Sequence, residues 1–548
     1  MSPSRRDVLR LTGGAILASM GAPAVVRASR RRADLIVRGG TIADGTGGPL
    51  YEADVVISGG RIARIERGTA EVGDTEFDAR GLVVSPGFVD IHSHADGNLF
   101  ADRRAQSALY QGVTTVVVGA DGSSRAPTGG TPGEGSRRYT GFGRYFAAID
   151  ELAPSINVAS MIGLGTVRSV VVGADDRPAT ADEIRRMTAL VESALEEGAC
   201  GASSGLEYTP GAFASIEELV ALSRPLARRR LPYASHMRNE DDRLLDAIRE
   251  AIAVAEGAGC PLQISHLKTQ GPRNWGSLDN AFRLVEEARA RGVDAAFDRY
   301  PYIAYQTGLT NLFPVASRDG GTERFFTRLD DPTQEPAIRA AVLDKVELIG
   351  GWNNVQIAAI RAEEDKAAEG QRLGDYARSV GADPYDTTVA LLRRSGGSVG
   401  MVGFAMSEEN LERILAHPLG MVCSDGGSFA VDGPARSGHP HPRGLGSFAR
   451  VLGRYVRERR ALTLEDAVYK MSGYPTSRVR LGDRGRLAAG AAADVVVFNA
   501  DTVIDRATFD QPFAYATGVS AVVVNGTMAL REGERMPGFH GRALRPTG

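Results

Sequence analysis

The chain has 548 residues and a mass of 58.1 kDa, enough to bury a large core and to form a catalytic domain with one or two smaller modules. Lysine and arginine together number 64, aspartate and glutamate number 67, and no long block of one charge sign follows the N-terminus. This balance argues against a nucleic-acid-binding or polybasic membrane surface and favours a small-molecule partner.

The N-terminal residues have the order of features typical of an export signal. Arg5 and Arg6 precede an apolar stretch of small residues, and sites suited to cleavage end at Ala24 and Ala28. The apolar stretch is interrupted and too short for a comfortable membrane span. We predict a twin-arginine signal at residues 1–28, export by the twin-arginine machinery to the bacterial periplasm or beyond, and no stable membrane insertion of the mature chain. A short basic helix without a targeting role is the alternative.

Strand patterns occupy both ends of the mature chain. Residues 33–65 alternate apolar and polar side chains in short runs broken by pairs of glycines. Residues 493–498 and 519–526 repeat this pattern. We expect the two ends to pair into one small β-sandwich, formed by residues 33–85 and 487–548.

Between these ends, amphipathic helix patterns alternate with apolar strand patterns. One helix begins with the capping box Thr180 and Glu183, and another begins with Ser215 and Glu218. Each helix pattern is followed by a short apolar run. Regular alternation of this kind predicts an α/β fold with a (β/α)8 TIM barrel, here at residues 86–486.

Metal-binding residue types lie at the ends of the apolar runs. His92 and His94 end the first run, His236 and His266 each end a later one, and Asp425 ends another. The chain has only eight histidines, so half of them lie at strand ends. The carboxyl ends of barrel strands share one face, and imidazoles and carboxylates are zinc ligands. The pattern therefore predicts a metal site at that face.

Two segments interrupt the alternation. Residues 119–143 are rich in Gly, Ser, Thr and Arg, which is consistent with either an active-site flap or a long surface loop. Residues 310–398 are longer than a barrel connection requires and contain helical patterns. We interpret the second segment as an inserted subdomain that covers the site.

Seven short motifs combine the candidate ligands with other polar residues. They are GFVDIHSH at 87–94, SSGLEY at 203–208, SHMR at 235–238, ISHLK at 264–268, DRYPY at 298–302, SDG at 424–426 and HPR at 441–443. Together these motifs resemble those of the N-acyl-D-amino-acid deacylases, or D-aminoacylases, of the amidohydrolase superfamily, and the resemblance extends over residues 33–545. It implies a β-sandwich with a barrel, zinc, and hydrolysis of the amide bond of an N-acylated D-amino acid.

The resemblance also assigns roles by position. His236 and His266 match the family's firmly zinc-binding histidines, whereas His92 and His94 match a pair associated with a second, weaker metal position. Asp425 matches the catalytic aspartate. One or two divalent ions, with Zn²⁺ as the expected metal, are therefore implied.

Residue 121 departs from the family pattern. Where the family has Asn-Cys-Gly, with the cysteine as a zinc ligand, this chain has Ala120, Asp121 and Gly122. A carboxylate can still bind zinc, and its two oxygens can bridge two ions, but a harder ligand lowers the selectivity for soft metals. The alternative is that Asp121 only caps a turn.

Amide hydrolysis requires a strong nucleophile and stabilisation of charge on the carbonyl oxygen, and a divalent ion supplies both. We expect Asp425 to take a proton and to deliver it to the leaving nitrogen, unless it is only a helix N-cap. Lys268, Tyr302 and Arg443 match the family's positions for the substrate carboxylate. Solvated surface positions for Lys268 and Arg443 are the alternative.

The predicted activity is metal-dependent hydrolysis of linear N-acyl-D-amino acids to a carboxylate and a free D-amino acid. Two other readings are open. A dipeptidase or cyclic-amide hydrolase of the same superfamily would use the same metal chemistry with another pocket. An exported binding protein would retain the fold without catalysis.

Overall fold

The computed structural model describes residues 32–128 and 139–547. The predicted export signal at residues 1–28 lies outside these ranges, as do residues 129–138 of the predicted loop. In the two described ranges, no helix combines the length and apolar character needed to span a bilayer.

The strands and helices follow one another through the whole described chain. The strands are β1 (Ala33–Ile42), β2 (Tyr51–Ser58), β3 (Arg61–Glu66), β4 (Gly73–Asp78), β5 (Val83–Pro86), β6 (Phe88–Asp90), β7 (Val113–Val118), β8 (Asn157–Ser160), β9 (Ile162–Gly163), β10 (Ala202–Gly205), β11 (Tyr233–His236), β12 (Leu262–Ile264), β13 (Ala295–Arg299), β14 (Ala304–Gly308), β15 (Val355–Ile360), β16 (Val399–Phe404), β17 (Gly420–Val422), β18 (Val495–Phe498), β19 (Val519–Val524), β20 (Thr527–Arg531) and β21 (Glu534–Arg535). The α-helices are α1 (Gln106–Leu109), α2 (Phe142–Leu152), α3 (Leu164–Val171), α4 (Ala181–Glu196), α5 (Ile216–Ala227), α6 (Leu244–Ala258), α7 (Leu278–Ala290), α8 (Thr322–Asp330), α9 (Glu335–Leu348), α10 (Leu373–Ser379), α11 (Pro384–Arg394), α12 (Glu408–Ala416), α13 (Arg443–Arg450), α14 (Leu464–Met471) and α15 (Gly473–Arg478). A π-helical turn, Val451–Glu458, continues α13.

Parallel strands form a closed barrel in the middle of the chain. Their order around the barrel is β6, β7, β8 with β9, β10, β11, β12, β13 and β17, which makes eight positions because β8 pairs with β7 and the adjoining β9 pairs with β10. The ring closes between β17 and β6, where the Asp425 N–H donates to the His92 carbonyl at 2.8 Å. Across the same junction, the Ser424 N–H donates to the Asp90 carboxylate at 2.8 Å. This arrangement agrees with the predicted (β/α)8 barrel.

Local capping starts the barrel helices where the sequence predicts them. Before α4, the Thr180 side chain accepts from the Glu183 N–H, and the Glu183 side chain accepts in return from the Thr180 N–H. Before α5, Ser215 accepts from the Glu218 N–H. Reciprocal capping satisfies two backbone donors that the first turn leaves free.

The two ends of the chain form one nine-stranded sheet beside the barrel. The C-terminal β18 lies between the N-terminal β5 and β19, while β1 pairs with β2, β4 and β5. Successive side chains of a strand point to opposite faces. Accordingly, Val495 and Val497 join the core of this module, whereas Val496 and Phe498 pack into the barrel core.

The insertion between β13 and β17 contains both helices and strands. Its antiparallel sheet has the order β14, β16, β15, and α8 to α11 lie between its strands along the chain. The sequence interpretation placed the insertion at 310–398 and recognised only its helical segments. The sheet begins at Ala304 and ends at Phe404, outside both of those limits.

Candidate metal centre

The side chains predicted as metal ligands and general base meet at the carboxyl edge of the barrel. Parallel strands bring residues from distant parts of the chain to this edge. The residues, with the strand that each one ends or follows, are His92 and His94 (β6), Asp121 (β7), His236 (β11), His266 (β12) and Asp425 (β17).

Three of these residues have a left-handed backbone. The φ angles are 51° at Asp121, 36° at His266 and 51° at Asp425. This conformation is unfavourable for residues with a side chain, and such strain is concentrated at functional sites. Beside Asp121, a Cβ on Gly205 would collide with the Asp121 carbonyl oxygen, so the loop after β7 packs directly on the end of β10.

One group of four side chains surrounds a first candidate metal position. His92, His94, Asp121 and Asp425 offer ligand atoms that all lie within 4.8 Å of one another. The Nε2 atom of His94 is 3.4 Å from Asp121 Oδ2 and 3.1 Å from Asp425 Oδ1. The Nε2 atom of His92 is 3.3 Å from Asp121 Oδ1.

A second group shares Asp121 with the first. Asp121, His236 and His266 have ligand atoms within the same 4.8 Å limit. The Nδ1 atom of His236 lies 3.8 Å from Asp121 Oδ2, and the Nε2 atom of His266 lies 3.6 Å from Asp121 Oδ1. Asp121 is therefore the residue that the two groups of candidate ligands have in common.

The donor set fits a divalent metal. The buried atoms His92 Nε2 and Asp121 Oδ1 have no hydrogen-bond partner, which leaves them available as ligands. Burial acts to lower the pKa of the imidazoles, but the carboxylates outweigh it: Asp121 and Asp425 raise the pKa of His94 to about 9, and Glu240 and Asp121 raise that of His236 to about 10. The carboxylates thus favour positive charge at this cluster, which a divalent cation would supply.

Asp425 is held by Arg443, the first residue of α13. The Nη1 atom of Arg443 donates to Asp425 Oδ2 at 2.6 Å. Burial acts to raise the pKa of the Asp425 carboxyl, but Arg443 and His92 outweigh it and hold this pKa below its ordinary value. Asp425 is therefore a carboxylate able to accept a proton, and the N-cap alternative is not supported because no helix begins after it until Gly433–Ala435.

A cavity of about 680 Å³ opens directly onto the two groups. Its wall includes His94, Asp121, His236, His266 and Asp425 from the cluster. The insertion forms part of the cavity wall. Its contribution comes from β14, through Tyr305, Gln306, Thr307 and Gly308.

The three residues predicted to hold a substrate carboxylate have different positions. Lys268 and Arg443 line the cavity and are both buried, which removes the surface alternative. Tyr302 is not among the described residues that line it, because its hydroxyl points to Asp505 Oδ2 at 3.3 Å and Arg450 covers its ring at 4.7 Å.

Tyr300 occupies the position expected of Tyr302. It lines the cavity, its buried hydroxyl has no hydrogen-bond partner, and Arg443 lies 4.8 Å from its ring centroid. Sequence reasoning also assigned no role to Glu207, Glu240 and Asp298, which surround the histidines. Glu207 lies in the SSGLEY motif, and Asp298 and Tyr300 lie in the DRYPY motif, so these motifs could have indicated them. Glu240 lies in a loop without a recognisable sequence motif.

A closed parallel barrel with imidazole and carboxylate groups arranged for two ions at its carboxyl edge defines a metal-dependent hydrolase. Comparison with known proteins agrees with this class, since the model of the Amidohydrolase family matches residues 75–529. The chain belongs to the amidohydrolase family.

Individual relatives resemble the chain over nearly its whole length. N-acyl-D-glutamate deacylase of Alcaligenes xylosoxydans xylosoxydans is 38% identical over 505 residues, covering 91% of this chain and 93% of that protein. The crystal structure of N-acyl-D-glutamate deacylase from Bordetella bronchiseptica, complexed with zinc and a phosphonate inhibitor, is 36% identical with a TM-score of 0.81, covering 94% of this chain and 100% of that one. A structure of D-aminoacylase, whose centre is binuclear, is 34% identical with a TM-score of 0.79 and the same coverages of 94% and 100%.

Proposed function

We propose that this protein is a zinc-dependent deacylase that hydrolyses N-acyl-D-amino acids to a carboxylate and a free D-amino acid. The observation that carries the proposal is a single cavity that contains the imidazole–carboxylate cluster, Asp425, and the carboxylate-binding candidates Arg443 and Tyr300. Relatives named for N-acyl-D-glutamate deacylation and D-aminoacylase activity support the same substrate class. The zinc of the related enzyme's complex supports the choice of metal.

The reaction assigns one task to each group. His92, His94, Asp121, His236 and His266 would hold one or two divalent ions, which would supply an acidified water and polarisation of the amide carbonyl. Asp425 accepts the proton of the nucleophile and delivers it to the leaving nitrogen. Because its pKa is lowered, the Asp425 carboxyl is ionised at neutral pH and has an unprotonated oxygen available for that proton.

Arg443, Tyr300 and Lys268 orient the substrate by its α-carboxylate. Arg443 provides a bidentate fork, Tyr300 an unpartnered hydroxyl, and Lys268 a compact charge. When the carboxylate and the scissile carbonyl are both fixed, exchange of enantiomers exchanges the directions of the side chain and the hydrogen. The D form directs its side chain into the cavity, whereas the L form directs it into the barrel wall.

The side chain of the preferred substrate carries no carboxylate. Among the described residues, the lysines and arginines on the cavity wall are Lys268 and Arg443, and both already lie 2.6 Å from a carboxylate of the protein. The α-carboxylate of the substrate uses these two groups. A second carboxylate in the side chain would find no further cation and would remain unpaired at a partly desolvated site.

Matched substrates test the activity. N-acetyl-D-leucine and N-acetyl-L-leucine differ only in configuration, and we expect the D form to be hydrolysed at least about a hundredfold faster, which corresponds to about 2.7 kcal/mol. N-acetyl-D-glutamate tests the side chain and should be a poorer substrate than N-acetyl-D-leucine. Equal rates on the two enantiomers, or a preference for L, would reject the D-deacylase assignment while leaving the metal-dependent hydrolase intact.

We also propose that the precursor is exported in its folded state by the twin-arginine route. Arg5 and Arg6, the apolar stretch after them and the cleavage-like sites at Ala24 and Ala28 support this. Replacing Arg5 and Arg6 together by lysine keeps the charge and should retain the protein in the cytoplasm. Unchanged export of the double variant, measured by cell fractionation, would remove the proposal.

A further inference from the structure

Each of the three buried histidines of the cluster has a second carboxylate near the ring nitrogen that faces away from Asp121. His92 Nδ1 lies 3.5 Å from Asp298 Oδ1. His266 Nδ1 lies 3.0 Å from Glu240 Oε1. His236 has the opposite orientation, with Nδ1 toward Asp121 and Nε2 3.6 Å from Glu207 Oε2.

The three outer carboxylates are buried and are held by other parts of the fold. Asp298 accepts hydrogen bonds from the backbone N–H of His266 at 2.8 Å and from the Gln263 side-chain amide at 2.7 Å. Glu240 accepts Lys268 at 2.6 Å and the Gln270 side chain at 2.8 Å. Glu207 accepts the Asn311 side chain at 3.1 Å. Their positions are therefore set independently of the imidazoles that they face.

A neutral imidazole binds a metal through one nitrogen and carries its proton on the other. A carboxylate behind the ring accepts that proton's hydrogen bond and fixes both the tautomer and the ring orientation. The buried Nε2 of His236 has no hydrogen-bond partner, and a shift of about 0.4 Å brings it into range of Glu207. This unsatisfied atom is accounted for if it carries the proton while Nδ1 faces the metal position.

We propose that Glu207, Glu240 and Asp298 are positioning residues that hold His236, His266 and His92 in the metal-binding tautomer. The inference rests on the metal centre of the proposed function but not on the identity of the substrate. His94 differs from these three histidines in having no such outer carboxylate among the described residues. Its side chain is 39% exposed, and the carboxylates within ion-pair distance, Asp121 and Asp425, both belong to the cluster.

Glu207, His236 and Glu240 also lie close enough together to hold a cation of their own. Lys268 opposes that arrangement, because its Nζ atom is 2.6 Å from Glu240 Oε1 and 2.7 Å from His266 Nδ1. A lysine ammonium already supplies the positive charge at this point, and a second cation beside it would be repelled. A proton on His266 Nδ1 would point to Glu240 Oε1, which lies 3.0 Å away, and it requires Lys268 Nζ to leave its 2.7 Å contact with Nδ1 and to donate to Glu240 instead.

The test measures metal binding without substrate, so a failed deacylase assay leaves it valid. The variants are Glu207→Gln, Glu240→Gln and Asp298→Asn in the full chain, with Asp505→Asn as a matched control. Asp505 has a carboxylate that is only 7% exposed and is paired with Arg450, and it lies outside the cluster. Competition with a chelator should show zinc affinity lowered by about 10- to 100-fold in the three variants and unchanged in the control.

A second readout covers variants that fold poorly. Glu207→Asp keeps the charge and withdraws the carboxylate by one methylene, and its cobalt-substituted form should show a shifted visible absorption spectrum because His236 is less firmly oriented. Parental zinc affinity in all three amide variants would overturn the proposal, as would an equal loss in Asp505→Asn. Loss of one whole ion per chain in Glu207→Gln, with the remaining affinity unchanged, would instead assign Glu207 to a separate cation site.

Discussion

Arg443 and Asp425 form a buried ion pair at the mouth of the metal cluster, with 2.6 Å between Nη1 and Oδ2. His441 anchors the main chain at this arginine, because its Nδ1 accepts the backbone N–H of Arg443 at 2.9 Å. The Nε2 atom of His441 in turn lies 3.0 Å from the Ala304 carbonyl and donates to it. One guanidinium therefore contacts the expected proton carrier and also faces the cavity.

Replacing Arg443 with alanine should raise KM more than it lowers kcat. The arginine binds the substrate carboxylate in both the ground state and the transition state, so its loss is mainly a loss of uniform binding. A charge-assisted hydrogen bond contributes about 1.5–3 kcal/mol, which predicts a KM at least about tenfold higher. Steady-state kinetics with N-acetyl-D-leucine measure this. Arg443→Lys, which keeps the charge but not the fork, should be intermediate, and an unchanged KM would contradict the assignment.

Asp425→Asn should leave the metal bound and lower kcat by about 10²- to 10⁴-fold. The amide keeps the shape of the side chain and an oxygen that can accept from Arg443, but it cannot accept the proton of the nucleophile. Metal analysis of the same preparation separates the two possible roles. Near-normal turnover would show that another group carries the proton, and loss of metal would make Asp425 a ligand as well.

Asp121 is the residue common to both candidate metal positions, so Asp121→Ala should lower the metal content per chain. Asp121→Cys should retain or increase zinc affinity because a thiolate suits zinc well. Since residue 121 has a φ of 51°, the cysteine has to adopt the same left-handed backbone as the aspartate, a conformation that aspartate tolerates better, so a modest loss of stability is expected. Unchanged metal content in Asp121→Ala would return Asp121 to a turn-capping role.

Two tyrosines two residues apart provide a matched pair of variants. Tyr300→Phe removes an unpartnered hydroxyl from the cavity wall and should raise KM about tenfold. Tyr302→Phe removes a hydroxyl that faces Asp505 and does not line the cavity, so KM should stay within about twofold. A tenfold rise in KM would require about 1.4 kcal/mol of lost binding. The reverse result would restore the role that the family resemblance gave to Tyr302.

The sequence predicted the barrel and its cluster because both depend on local patterns. A strand that ends in a histidine or aspartate is visible in the chain, and barrel geometry brings such ends together without further information. The choice between Tyr300 and Tyr302 depends on how the chain turns at Pro301 after β13, which strand periodicity does not describe. Glu240 reaches His266 only through the tertiary fold, and the mixed polarity of β14 concealed a strand.

The position of β18 between β5 and β19 has a consequence for the biosynthesis of the protein. A nascent chain exposes β5 long before its partner has been synthesised, and an unpaired strand edge is a template for association with other chains. Val496 and Phe498 of β18 also pack into the barrel core, so the barrel too is incomplete until this strand arrives. Folding thus finishes only after β18 has been synthesised, and a chain truncated before Val495 should aggregate instead of retaining partial activity.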